Sequence, residues 1–340
     1  MRPFSYERAA PGTGTRHLAG AFGSGPPTQA SIQYLAGGTT MLDLMKLDVM
    51  RPERLVAVSP LRAEHGDIRA DGNGLTLGAL VHMSAAADHP ALRRDYPALW
   101  DALWQAASPQ IRNMATLGGN VLQRTRCNYF RDSGWAACNK RAPGSGCAAV
   151  GGSNRLLAVL GVSEHCIAHY PGDFAVALAA LGATVTLLAT DGTARTIPFE
   201  ELHRLPGNTP HVETTLRPGE LITSFHVPAG PWTRRSLYRK VRERESYAFA
   251  LASAAVALDL RPDGTVATAR VGLGGLAAKP WRSHEAEAAL AGRRLDEDAA
   301  RNAAERAFAG AVTHGENAWK PELGRRVLVR ALLEAAETEN

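Results

Sequence analysis

A chain of 340 residues with 45% hydrophobic side chains exceeds the usual size of a single core, so two or three domains are expected. The net charge of +5 is dispersed: basic residues are mixed with 33 acidic ones, no Lys/Arg-rich tail exists and aromatics are 6%, a pattern that argues against nucleic acid as partner. The longest apolar stretches, Phe174 to Leu188 and Tyr247 to Leu260, are too short and too rich in Ala and Thr to span a bilayer, and Met1 to Arg8 has no apolar core of a signal peptide, so any export is expected as a passenger of another chain.

Along the chain, residues 31 to 58 read as strand (Ser31 to Leu35), Gly turn (Ala36-Gly-Gly-Thr-Thr40), short helix (Met41 to Leu47) and strand (Arg54 to Val58). Thr39 and Thr40 are candidates to cap the helix, leaving the Gly37 and Gly38 amides free for an anion such as a phosphate. Leu75 to Leu80 reads as a strand, and Ala85 to Ala107 as helix broken near Pro90 and Pro97. A second Gly run, Thr116-Leu-Gly-Gly-Asn120, leads into a loop-like stretch. A helix resumes near Ala175, followed by a strand at Ala183 to Ala189, a turn at Asp191-Gly192 and a strand at Thr196 to Phe199. Pro228 to Trp232 suits a linker. Beyond it lie a strand at Ser236 to Arg242, a strand or buried helix at Ala248 to Leu260, a hairpin at Pro262-Asp263-Gly264, a strand at Ala267 to Leu273, and helices near Asp296 to Ala311 and Leu323 to Glu337. Neither Gly run matches the G-x-G-x-x-G dinucleotide fingerprint, so a Rossmann domain is not expected.

All four cysteines, Cys127, Cys138, Cys147 and Cys166, fall in the stretch behind the second Gly run, which favours shared ligation. There is no C-x-x-C pair and no His pair at zinc-finger spacing, which disfavours zinc; two disulfides or unligated buried thiols remain as bland alternatives. A 4Fe-4S cluster accepts thiolates from any converging loops. Four thiolates on a 2+ core carry a net 2− charge, and Arg124, Arg126, Arg131, Lys140 and Arg141 are placed to offset it. Gly134, Gly144, Gly146, Gly151 and Gly152 allow tight wrapping. His165 is given no role.

Several segments are similar to one family. Ala36-Gly-Gly-Thr-Thr-Met-Leu-Asp-Leu-Met-Lys46 with Arg51-Pro-Glu-Arg-Leu-Val56 resembles the first flavin-binding loop of the medium FAD-binding subunits of the xanthine dehydrogenase family of molybdenum hydroxylases, and Ile111 to Asn120 their second loop. Leu237 to Lys240, Ser246 to Ala250, Val271 to Ala277 and Lys279 to Arg282 resemble their C-terminal domain. The cysteine segments Leu122 to Cys127, Cys138 to Cys147 and Gly161 to Cys166 most resemble the flavin and 4Fe-4S subunit of bacterial periplasmic aldehyde oxidoreductase; the flavin subunit of 4-hydroxybenzoyl-CoA reductase is the rival.

The resemblance implies an α+β fold: a PCMH-type FAD-binding domain at 1–228, with subdomains about 1–58 and 59–228 and a 4Fe-4S insert about 124–170, and a C-terminal α+β domain of the CO dehydrogenase flavoprotein type at 232–338. It implies FAD and a 4Fe-4S cluster on Cys127, Cys138, Cys147 and Cys166, in a heterotrimer with a large molybdenum-cofactor subunit and a small subunit carrying two 2Fe-2S clusters. The chain then serves as an electron-transfer subunit between those 2Fe-2S clusters and an external acceptor, with substrate oxidised on the large subunit, in the periplasm as a passenger or otherwise in the cytoplasm. A metal-stapled scaffold without redox turnover is the reading from another class. Carried over by position, Leu35, Ala36, Gly37, Gly38, Thr39, Thr40 and Met41 cradle the FAD diphosphate; Thr116, Gly119 and Asn120 approach from the second loop; Asp173 binds FAD; Lys240 lies beside the isoalloxazine, which Tyr247 is a candidate to shield.

Overall fold

The computed structural model describes residues 1–338 apart from 13, 19, 20 and 24. Its strands form three sheets. The first contains β1 (Ser5–Arg8), β2 (Ile32–Leu35) and β3 (Arg54–Ala57), all parallel in the order β1-β3-β2. Parallel pairing needs a crossover, and the Gly turn with the short helix Met41–Lys46 supplies it between β2 and β3. Side chains alternate across a strand, so the neighbours Leu55 and Val56 are both fully buried but face different cores. Leu55 packs with Leu44, Met45 and the cysteine segment; Val56 packs with Ala9, Leu18, Ile32 and Leu80.

The second sheet is antiparallel: β4 (Ile68–Asp71), β5 (Gly74–Gly78), β6 (Thr184–Leu188), β7 (Ala194–Pro198) and β8 (Leu221–Pro228), in the order β4-β5-β8-β6-β7. The third, also antiparallel, contains β9 (Ser236–Val241), β10 (Ala252–Leu260), β11 (Val266–Gly274) and β12 (Trp281–Arg282), backed by helices Glu297–Ala307 and Lys320–Glu337. The α+β class is as expected from sequence. The segment Ala248 to Leu260, open between strand and helix, is a strand from Ala252, and the prolines split the 85–107 stretch into helices Met83–Asp88, Pro90–Asp95 and Pro97–Trp104.

Helix Asp173–Ala180 joins the second and third sheets. All eight residues are buried, as a helix apolar on every side must be. Phe174 meets Phe225 of β8 edge to face, 6.0 Å between centroids, while Val176 packs so tightly on β11 that a Cβ on Gly272 would lie 2.7 Å from the Val176 carbonyl oxygen. The cysteine stretch has one short helix, Asn128–Arg131, and otherwise turns. It is tied to the chain after β11 by Val159 N–H to Leu276 O (2.8 Å) and Tyr170 N–H to Ala277 O (2.9 Å).

Candidate functional site: a glycine-walled cavity beside a cysteine pocket

A cavity of about 540 Å3 opens between the first and second sheets, within the range of small-molecule and cofactor sites. One wall is the turn after β2, Ala36 to Met41. Thr40 occupies the N-cap position of the short helix, but neither Thr39 nor Thr40 caps it: Thr40 is already in helical geometry (φ −104°, ψ −47°) and makes no side-chain cap hydrogen bond. The expected threonine cap is therefore corrected, and the consequence is a barer turn. Among the described residues, the successive main-chain N–H groups of Gly37 to Met41 donate to no other group, an arrangement suited to an anion.

Two glycines here have no substitute. Gly38 has φ +77°, in the left-handed region. A Cβ on Gly37 would sit 1.9 Å from the Met114 carbonyl oxygen, so the turn rests directly on the chain leading into the second Gly run. That run forms the short helix Leu117–Val121. Thr116 and Gly119 line the cavity, but their polar groups are engaged: Thr116 Oγ1 accepts from Gly119 N–H at 3.2 Å, and Gly118 N–H donates to Ala79 O at 2.8 Å. From Leu117 to Asn120 every amide of the second run is engaged, so this stretch shapes a wall rather than an anion site.

Leu35, Asn120, Asp173 and Lys240 do not line this cavity. Leu35 packs toward the cysteine core, and Asn120 Oδ1 is buried without a partner. Asp173 and Lys240 instead meet each other. Lys240 Nζ lies 2.7 Å from Asp173 Oδ2, the Tyr238 hydroxyl donates to Asp173 Oδ1 at 2.5 Å and accepts from the Ser253 hydroxyl at 2.8 Å, and both charged side chains are nearly fully buried. Tyr247 stands apart from the cavity with φ +52°, exposed, under the Arg244 guanidinium.

Sequence reasoning missed the opposite wall, residues 203–222. His203, Arg204, His211, Glu213, Arg217 and Glu220 line the cavity from a segment rich in Pro and Gly, without periodicity to mark it. Burial lowers the His203 imidazole to about 4, against the partly offsetting Val121 carbonyl, so it stands neutral. The Glu213 carboxyl is raised by burial, but Arg124 and Lys140 more than reverse this and hold it below its ordinary range.

The four cysteines line one small second cavity together with Tyr129, Phe130, Asn139, Lys140 and His165. None is in a disulfide. Cys138 and Cys147 face each other across an isolated antiparallel bridge. Burial pushes the Cys127 thiol up to about 12, with the sulfurs of Cys166 and Cys138 adding to the rise; burial raises Cys166 too, opposed by the Lys140 charge. Thiols so placed ionise only when a cation is bound. Among the described residues, no group of three or more His, Cys, Asp or Glu side chains is arranged to hold a single metal ion.

The expected ring of cations around the sulfurs is corrected in part. Arg126 and Arg131 turn to Asp43, at 3.2 and 2.8 Å, and Arg141 donates to the carbonyls of Tyr129, Phe130 and Asp132. Arg124 and Lys140 pair with Glu213. Of the five, only Lys140 reaches the cysteine cavity. Local carboxylates and carbonyls outcompete a distant anion.

Residues 17–230 match the family described as the FAD binding domain in molybdopterin dehydrogenase, and residues 236–335 the CO dehydrogenase flavoprotein C-terminal domain. The chain belongs to this family of FAD-binding subunits and is a subunit of a molybdenum hydroxylase-type oxidoreductase. More particularly, it is 44% identical over 98% of its length, and 99% of the relative's, to the aldehyde oxidoreductase FAD-binding subunit PaoB of Escherichia coli (strain K12). It is 27% identical to the carbon monoxide dehydrogenase medium chain of Afipia carboxidovorans, over 82% of this chain and 78% of that one. In structure it resembles a Cu,Mo-CO dehydrogenase in a cyanide-inactivated form, with a TM-score of 0.74 over 99% of both chains at 25% identity. No helix among the described residues is long and apolar enough to cross a membrane.

Proposed function

We propose that this chain is the flavin and iron–sulfur electron-transfer subunit of a heterotrimeric, molybdenum-dependent aldehyde oxidoreductase. The observation that carries the reading is the adjacency of two unlike sites: a cavity whose Gly37 to Met41 amides stand free, and a pocket lined by four free thiols sharing part of its wall. The amides hold a diphosphate, and the second Gly run keeps side chains out of its path. FAD bound there supplies a carrier able to take electrons singly or in pairs.

The cysteine set suits a polynuclear cluster rather than one ion. Ligands of a single tetrahedral zinc lie ~3.8 Å apart, from Zn–S bonds of ~2.3 Å, whereas in a cubane each cysteine binds a different iron and the sulfurs stand farther apart. The cysteines come from separate turns with no C-x-x-C pair, which supports a cluster that takes thiolates from converging loops. Cys127, Cys138, Cys147 and Cys166 are the ligands.

The likeness to an aldehyde oxidoreductase subunit supports the substrate class. The partners in this reading are a large molybdenum-cofactor subunit, where substrate is oxidised, and a small subunit with two 2Fe-2S clusters; an external acceptor takes the electrons. In this reading the complex works in the periplasm or otherwise in the cytoplasm. Acid release of flavin from the purified complex, followed by turnover assays with aldehydes and with aryl-CoA thioesters, tests this. Flavin release and aldehyde turnover are expected; a complex without flavin, or one active only on thioesters, would reject it.

A further inference from the structure

The large cavity and the cysteine pocket share three residues: Lys140, Cys166 and Ala168. Lys140 stands in this partition, buried. Its ammonium donates to Glu213 Oε1 at 2.9 Å and to the Pro210 carbonyl at 3.1 Å. Glu213 lines the large cavity only and is held on its other side by Arg124. The cluster of charges therefore comprises two cations and one carboxylate, with the lysine on the sulfur side and the carboxylate on the cavity side. Lys140 and Cys166 both stand on the wall that the two cavities share.

Resting on the reading that the cysteines hold an iron–sulfur cluster, we propose that Lys140 is a positioning residue that sets the reduction potential of that cluster, with Glu213 as its counter-charge. Reduction adds one electron to a centre that is already anionic. A buried cation nearby favours the reduced form and a buried carboxylate opposes it, and little salt screening intervenes. Charge and structure are separable here because Lys140→Met and Glu213→Gln break the same ion pair but change the local charge in opposite directions. If the pair only holds two loops together, both variants disturb the centre alike. If its field matters, the shifts have opposite sign.

The experiment is a redox titration followed by electron paramagnetic resonance on the full chain carrying its iron, for wild type, Lys140→Met, Glu213→Gln and Lys140→Arg. Lys140→Met is expected to lower the midpoint so that, at the wild-type midpoint, the reduced-to-oxidised ratio falls about tenfold, or about 59 mV for a one-electron couple. Glu213→Gln is expected to raise the midpoint, and Lys140→Arg to stay near wild type. Shifts of the same sign in Lys140→Met and Glu213→Gln, or no shift in either, overturn the proposal. Should Lys140→Met fail to accumulate, the sign of the Glu213→Gln shift decides: upward supports, downward or absent overturns. A wild-type chain with no iron–sulfur signal overturns the cluster reading itself, and this proposal with it, whereas a normal signal with insensitive midpoints removes only the role of Lys140.

Discussion

Lys240→Met removes the cation from a carboxylate that has almost no contact with water. Asp173 keeps the Tyr238 hydroxyl and its place in the first turn of helix Asp173–Ala180, but loses the ammonium 2.7 Å away. Breaking a buried pair from one side costs about 3–5 kcal/mol. Methionine fills most of the volume of the lysine stem, so little of that cost comes from packing. The helix N-terminus favours a negative charge by about 0.3–1 kcal/mol, which places the expected loss at the lower end, about 3 kcal/mol. The pair joins a helix lodged between two sheets to β9, so the loss should appear in global unfolding by urea. Asp173→Asn combined with Lys240→Met should cost less than the sum of the single changes, because the double variant leaves no orphan charge. A loss below about 1 kcal/mol for Lys240→Met would refute the reasoning. Retained stability with loss of flavin would instead return Lys240 to the flavin contact implied by family resemblance.

Gly37→Ala drives a methyl group to 1.9 Å from the Met114 oxygen, so the turn must shift; at about 1–3 kcal/mol for such overpacking, flavin affinity should fall roughly 5- to 150-fold, and unchanged flavin retention would contradict the contact. Burial holds His169 at about 3 and His203 at about 4 in the fold, while the unfolded chain protonates its histidines near 6.5. Between these values the unfolded state binds more protons, so stability is present above pH 6.5 and declines as pH falls toward 4; His203→Gln should flatten that decline in urea midpoints measured across the window, and an unaltered slope would count against it. Cys138→Ser should lower subunit yield or complex assembly, since a bound cluster contributes to folding; normal assembly with slow turnover would place the cluster on the electron route instead.

What the sequence revealed depended on how local each signal was. The strand, Gly turn, helix and strand of residues 31 to 58 were legible because period and turn chemistry lie within one short segment. β1 was not: Ser5 to Arg8 lies largely exposed at a sheet edge and carries no alternation. β8, central in its sheet, also escaped notice, lying just beyond an aperiodic loop. The same loop brings Glu213 to Lys140 across 73 positions, a pairing that tertiary structure alone creates. The crowding of four cysteines pointed to shared ligation, and in the fold the four line one pocket. Their charge environment was not legible, because Asp43, which takes Arg126 and Arg131, sits more than eighty residues earlier.

A cofactor inventory of the purified full chain tests the central claim most directly: flavin released by acid, together with iron, acid-labile sulfide and zinc. Flavin with iron and sulfide in equal amounts is the predicted result. Zinc without sulfide, or iron and sulfide with no flavin, would contradict it.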